Sequence, residues 1–220
     1  IERLAGMDDV TRLIPLVSNS FNGKAYRNFA VVDYLENDNK MDFVFVLEDV
    51  KIDKTLVPQQ VSDLLIDDLY QFKLQEGLTW DLIKYCHLIC SGKTGSGKST
   101  LLQSLLIQSL TRQIETYLVD PKREFATLRE AVNEPQEVLD LLERLVAKME
   151  QRERELSAKI TNFGQTAKDL GYPPVMIFID EVTALVAAFD NKEHKQFEKL
   201  LRKLILKGRA LGYNVVLMAQ

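Results

Sequence analysis

The sequence predicts an α/β fold: a mostly parallel sheet flanked by helices and preceded by a small β-containing N-terminal region. Three observations predict it. From residue 82 onward, short apolar runs alternate with helical patterns, and one of those runs is continuously apolar, as a strand covered on both faces requires. The length of 220 residues, 46% hydrophobic and 27% charged, suits one large domain with an appendage rather than a disordered chain. Strands that alternate with helices return in the same direction through right-handed crossovers, which makes the sheet parallel.

Residues 1–60 alternate β-like runs with polar turns: Phe29 to Leu35, then Glu36 to Lys40, then Met41 to Val50 with Phe43, Phe45 and Leu47 on one face. Leu64, Leu65, Ile66 and Leu69 against Asp63, Asp67 and Asp68 predict a helix over about Val61 to Phe72. These elements form an α+β region over 1–75, with a boundary near residues 50–75, and the main domain occupies 76–220. Leu88-Ile89-Cys90 reads as a buried strand running into a glycine-rich turn, followed by a helix with Leu101, Leu102, Leu105, Leu106 and Leu110. A second strand runs from Ile114 to Val119 and ends at Asp120-Pro121-Lys122. A long helix starts after Asn133, where Pro135 suits a first turn, and continues past Arg154. Gln151 to Glu155 are charged all round and are expected to project into solvent. Val175 to Ile179 is the continuous apolar strand. A helix over His194 to Leu211 stops at Gly212, and Val215 to Met218 form the last strand.

Composition excludes several classes. Cys86 and Cys90 cannot make a disulfide scaffold, and with His87 and His194 as the sole histidines no structural zinc set exists. Reduced thiols fit a cytoplasmic domain. No apolar run reaches about 18 residues and the start resembles no signal peptide. The net charge of −4 supplies no general attraction for nucleic acid, so DNA contact would be local. The chain lacks an initial Met and stops at Gln220, so it reads as a piece of a longer protein.

The chemistry concentrates at Gly92-Lys93-Thr94-Gly95-Ser96-Gly97-Lys98-Ser99, which fits G-x-x-x-x-G-K-[ST] between a strand and a helix that continues from Thr100. Glycines let successive amides turn inward as an anion nest, and the helix aims its positive end at phosphate. Lys98 would reach the β- and γ-phosphates of ATP and Ser99 would hold Mg²⁺. The bland reading is a flexible glycine-rich turn. Asp180 and Glu181 follow the continuous strand: the first is placed to organise Mg²⁺, the second to orient and deprotonate a water. Acidic residues also occur at helix N-termini for the dipole alone. Gln220 follows the last strand, as a γ-phosphate contact or as a polar residue of no consequence. Lys199, Arg202, Lys203, Lys207 and Arg209 form a solvated basic face, or include an arginine reaching a neighbouring subunit's site. Cys86, Cys90 and Trp80 read as core, and His87 as packed and hydrogen-bonded.

Four segments together resemble the FtsK/SpoIIIE DNA translocases, within the RecA-like and HerA-like hexameric motors. They are His87 to Ser99, Leu118-Val119-Asp120-Pro121-Lys122, Ile179-Asp180-Glu181, and Gly208-Arg209-Ala210-Leu211-Gly212-Tyr213 through Gln220. The resemblance covers about residues 78–220. Lys207-Gly208-Arg209 and Asp180-Glu181-Val182-Thr183-Ala184 look closer to TcpA-type conjugative coupling proteins than to cell-division members. It implies a RecA-like P-loop NTPase that hydrolyses ATP with Mg²⁺ and pumps double-stranded DNA as a homohexameric ring. It further implies a trans-acting Arg209 with Arg202 in reserve, a sensor-like Gln220, relaxase or secretion-channel partners, and membrane segments outside this chain. The rival readings are a protein-translocating ATPase of a type VII-like secretion system and a nucleotide-gated assembly module.

Overall fold

The structure, a computed structural model, describes residues 29–36, 43–49, 56–125 and 131–219 with residues 14, 15 and 17. The chain divides into two compact units, Ile1–Thr55 and Leu56–Gln220. In the first, β1 (Phe29–Glu36) and β2 (Phe43–Asp49) pair antiparallel, with a register shift between Val31 and Asp33. The two expected β-like runs are these strands, and the polar residues 37–40 between them lie outside the described residues.

The second unit opens with a 3₁₀ turn at Val61–Leu64, then an antiparallel pair, β3 (Gln71–Gln75) and β4 (Leu78–Asp81). The helix expected over Val61 to Phe72 is therefore corrected to a turn and a strand. Its backbone is held by partners remote in sequence rather than by helical hydrogen bonds. Gln108 uses both ends of its amide on the β3 backbone, accepting from Lys73 N at 2.8 Å and donating to Lys73 O at 2.8 Å. Arg112 donates through Nη1 to the carbonyls of Ile66, Asp68 and Gln71 at 3.2, 3.1 and 2.8 Å, and lies 4.3 Å from the Phe72 ring centroid.

The main sheet holds β5 (Leu88–Ser91), β6 (Glu115–Val119), β7 (Val175–Ile179) and β8 (Tyr213–Ala219), all parallel, in the order β5-β8-β7-β6. Between them come α1 (Lys98–Thr111), α2 (Pro135–Ser157), α3 (Val182–Ala188) and α4 (Asn191–Leu211). Strand β7 is buried throughout and alternates between two cores. Val175, Ile177 and Ile179 join Leu142, Leu145 and Met149 of α2 and Leu204 of α4. Met176 and Phe178 join Leu102 and Leu105 of α1 and Phe72 and Trp80 of the β3–β4 pair. Each such side chain, fully removed from water, contributes about 1.5–3 kcal/mol, which explains why this strand anchors both layers.

Two further expectations are corrected. Strand β5 is not buried: it is an edge of this sheet, and Ile89 is 71% exposed. The later part of α2 does not simply project into solvent. Leu156 is buried, and Arg152 donates to Pro173 O and Leu211 O at 3.1 and 3.0 Å while lying over the Tyr213 ring. Pro135 at the start of α2 and left-handed Gly212 (φ 72°) after α4 take the roles expected of them. Among the described residues no helix is long and apolar enough to cross a membrane.

Candidate functional site

The parallel strands bring three chain segments to one carboxyl edge. β5 delivers the loop Gly92–Gly97, β7 delivers Asp180 and Glu181, and β6 delivers the turn from Asp120 to Phe125. Strand β8 lies between β5 and β7, and its Ala219 carbonyl accepts the Gly92 N–H at 3.3 Å. Gln220 follows Ala219 and lies outside the described residues.

The loop takes the conformation its glycines permit. Gly95 and Gly97 have φ of 79° and 90°, where a side chain is strained, and Gly97 caps the first turn of α1. Lys93, Thr94, Ser96, Ser99 and Thr100 are exposed around it. Lys98 folds back so that Nζ donates to Gly92 O at 2.5 Å and Lys93 O at 3.1 Å, and α1 begins directly after the loop. Backbone donors, a helix N-terminus and one ammonium group make a seat for phosphate.

Opposite stands a group of carboxylates. Asp180 and Glu181 are both buried, at 7% and 5% exposure, and Glu181 holds a left-handed backbone (φ 48°) as it opens α3. The helix-dipole reading does not account for this burial, because a dipole partner alone can remain in water. Burial, followed by the neighbouring Glu124 and Asp120 carboxylates, pushes the Asp180 carboxyl up to about 6. Glu181 is met by Lys122, whose Nζ lies 2.9 Å from Oε2, and by the Thr183 hydroxyl, which donates to Oε1. The hydrogen bond from Lys122 to Glu181 raises the Lys122 pKa above its usual range.

Sequence reasoning missed the turn that organises this group. Asp120 is fully buried and accepts from Glu124 N and Phe125 N at 3.1 and 2.7 Å, closing the turn on itself. Glu124 then accepts from the Ser99 hydroxyl at 3.4 Å, so β6 supplies a carboxylate to the P-loop side as well. The available signal was the segment Asp120-Pro121-Lys122 directly after a strand.

Among the described residues no three His, Cys, Asp or Glu side chains converge as a metal cage. Hydroxyl Ser99 and carboxylate Asp180 are hard oxygen donors, and the crowding of Asp180 by like charges is what a divalent cation relieves. A few protein oxygens completed by phosphates and waters is the Mg²⁺ pattern.

The basic helix α4 does not reach this edge with its last turn. Lys203 and Lys207 pair with Glu150 and Glu153 of α2 at 3.2 and 2.6 Å, as a solvated basic face would. Arg209 is exposed one turn before β8 begins, at the sheet edge opposite the P-loop, and Arg202 is exposed farther back on α4. His87 is packed: Nδ1 accepts from Val215 N at 3.1 Å and Nε2 bonds Ile205 O at 3.0 Å, and burial lowers its pKa. Trp80 is buried, as is the Cys86 thiol, while Cys90 is half-buried.

With this geometry in view, the likenesses to known proteins are specific. The FtsK/SpoIIIE family model matches residues 61–170, half of the chain. The Ftsk domain-containing protein YdcQ of Bacillus subtilis is 26% identical over 208 residues, covering 90% of this chain and 42% of YdcQ. The DNA translocase FtsK of Campylobacter jejuni is 30% identical over 159 residues, covering 64% of this chain and 16% of that protein. The chain thus spans less than half the length of either curated relative. The monomer form of the pCW3 conjugation coupling protein TcpA, solved with ATPγS, has a TM-score of 0.59 at 22% identity, covering 100% of this chain and 66% of that one. The cytoplasmic domain of the Thermomonospora curvata type VII secretion ATPase EccC has a TM-score of 0.53 at 21% identity, covering 74% of this chain and 23% of that one. At these identities the structural likenesses establish a shared P-loop ATPase fold.

Proposed function

The chain belongs to the FtsK/SpoIIIE family, and we propose that it is an ATPase that moves double-stranded DNA, in the manner of a conjugative coupling protein. One observation carries the reading: a G-x-x-x-x-G-K-S loop and a buried acidic pair lie at the same carboxyl edge of the sheet, with β8 between their strands. In the proposed site the amides of Gly92–Gly97 and the Lys98 ammonium hold the phosphates, and Ser99 and Asp180 hold Mg²⁺. The cation supplies charge neutralisation across the phosphate oxygens. Glu181 orients the attacking water and takes its proton. Gln220, one residue beyond Ala219, would add an amide on the γ-phosphate side.

The reading includes a homohexameric ring, with which the position of Arg209 is compatible. That position on the far edge separates Arg209 from its own P-loop, so an arginine contribution from it would go to a neighbouring subunit's site, with Arg202 the alternative. The motor expected over 76–220 takes in residues 56–75 in this reading, because they share its core, which leaves 1–55 of the expected 1–75 as an N-terminal region; relaxase or channel proteins and a membrane are engaged through segments outside this chain. The acidic balance counts mildly against this reading without refuting it, because a motor that must let go at every step needs only modest phosphate contacts.

A second reading, a protein-translocating ATPase, draws support from the net charge of −4 and from the fold shared with EccC. ATP hydrolysis by the full-length protein, with and without duplex DNA, separates the two. DNA stimulation abolished by Lys98→Ala and by Glu181→Gln is the expected result. Turnover that depends on Lys98 but ignores DNA would replace the DNA reading with the protein one. Nucleotide binding without turnover would leave an assembly module.

A further inference from the structure

Lys122 belongs to none of the residue sets that the proposed chemistry uses, yet it meets the residue on which that chemistry turns. Strands β6 and β7 pair in register from Glu115↔Val175 to Val119↔Ile179, and Asp180 N donates to Val119 O at 2.9 Å beyond the last pair. The two chains therefore leave the sheet side by side. The β6 chain turns at Pro121, and its direction is fixed because the buried Asp120 carboxylate holds the amides of Glu124 and Phe125. Within that closed turn one side chain goes each way: Lys122 to Glu181 at 2.9 Å and Glu124 to Ser99 at 3.4 Å.

The contact is between unequal partners. The Glu181 side chain is 7% exposed, while the Lys122 side chain is 37% exposed. A buried carboxylate needs a partner to stay ionised, whereas an ammonium on a flexible stem at the surface does not. A surface pair between two solvated side chains would contribute almost nothing and would not select one geometry. The Thr183 hydroxyl engages the other oxygen, so both oxygens of Glu181 are engaged by groups on different elements, the β6 turn and α3. A carboxylate that aligns a water depends on such restraint, since small displacements of an aligning group cost rate steeply.

We propose that Lys122 is the positioning residue for Glu181, holding its carboxylate in the orientation used to align the attacking water. The inference rests on the role given to Glu181 above. Lys122 touches neither phosphate nor water in this scheme and acts only through Glu181. Its loss therefore lowers kcat and leaves nucleotide affinity alone.

The test is steady-state ATP hydrolysis by full-length Lys122→Met, Lys122→Arg, Glu181→Gln and the Lys122→Met/Glu181→Gln double variant. Binding of a fluorescent ATP analogue serves as the measure of an intact fold. The expected result is a kcat lowered about tenfold in Lys122→Met, the range seen when a partner of a site ligand is removed. KM and analogue affinity stay within about twofold, and Lys122→Arg recovers most of the rate. In the Glu181→Gln background, Lys122→Met has no further effect on the residual rate, which a general structural role would not produce. An unchanged kcat in Lys122→Met, a KM that rises in step with any loss, or a further loss in the double variant overturns the proposal. A raised kcat also overturns it, since Lys122 would then be holding the carboxylate away from the orientation that aligns the water. If Glu181→Gln alone retains full turnover, the role of Glu181 fails first, and that failure is read separately from the Lys122 result.

Discussion

Replacing Arg112 by alanine tests how firmly residues 56–75 are bound to the nucleotide-loop helix. Arg112 follows α1, and its guanidinium gathers the carbonyls of Ile66, Asp68 and Gln71 through Nη1 and that of Gln108 through Nε at 2.9 Å. Nη1 carries two hydrogens and cannot serve three acceptors at full strength, so about three effective bonds remain. At roughly 1 kcal/mol each they contribute about 3 kcal/mol, and the Phe72 ring adds about 0.5–1 kcal/mol. Against this, Nη2 is buried without a hydrogen-bond partner among the described residues, a cost of about 1–2 kcal/mol. The net loss in Arg112→Ala is thus about 2 kcal/mol. At roughly 2–4 °C per kcal/mol for a chain of this size, Tm falls by about 4–8 °C. A lysine in place of Arg112 keeps the charge but lacks the fork, so Arg112→Lys recovers less than half of the loss. Thermal unfolding measures the shift, and hydrogen exchange locates it: amides of residues 66–75 should exchange faster while those of β7 do not. A Tm shift under about 2 °C, or a lysine variant equal to the parent, would refute the reasoning.

His87 and Gly208 yield two further tests. Burial holds the His87 pKa below its ordinary 6.5, and protonation would put a hydrogen on Nδ1 against the Val215 N–H. The unfolded chain therefore binds the proton first, so this stability is present above pH of about 6.5 and is lost as pH falls toward the depressed folded value. Urea midpoints of the parent should drop between pH of about 7.5 and 5.5 more than those of His87→Gln, and parallel profiles would sink the assignment. In Gly208→Ala the new Cβ would sit 2.3 Å from Tyr213 O and 3.0 Å from His87 Cε1. Overpacking against backbone at roughly 1–3 kcal/mol outweighs the helix-propensity gain of about 1 kcal/mol, so the urea midpoint should fall, and a rise would contradict the close approach.

The parts of this structure that were legible in the sequence are those fixed by local pattern. The apolar run Val175 to Ile179 is covered on both faces, and the glycine spacing of 92–97 gives the left-handed residues that the loop uses. The misread parts depend on distant partners. Leu64, Leu65, Ile66 and Leu69 have helical spacing, but Arg112 takes up the carbonyls of Ile66 and Asp68 that a helix would use and, with Gln108, holds the chain that follows as strand β3. Apolar Leu88-Ile89-Cys90 looked buried because composition reports hydrophobicity, not position in the strand order. The start of α4 was legible and overlooked: Asp190 and Glu193 form a capping box, which moves the helix start from His194 to Asn191.

Two adjacent acids, Asp180 and Glu181, are assigned different work by surroundings that no local pattern encodes. Asp180 faces burial and the like charges of Glu124 and Asp120, so the folded chain favours its protonated form. Because its pKa is raised, the stability it contributes is present below about 3.8 and is lost as pH rises through about 6. At neutral pH the site is thus held in an unfavourable, negatively crowded state, which a cation bound at Ser99 and Asp180, as proposed above, would relieve. Binding that occurs only in the folded state returns stability in proportion to its affinity. Glu181 differs because Lys122 already compensates its charge. A carboxylate so balanced has less need of a cation, which fits the water-orienting role proposed for it. The division of labour therefore comes from the β6 turn, which presents Asp120 and Glu124 toward one acid and Lys122 toward the next.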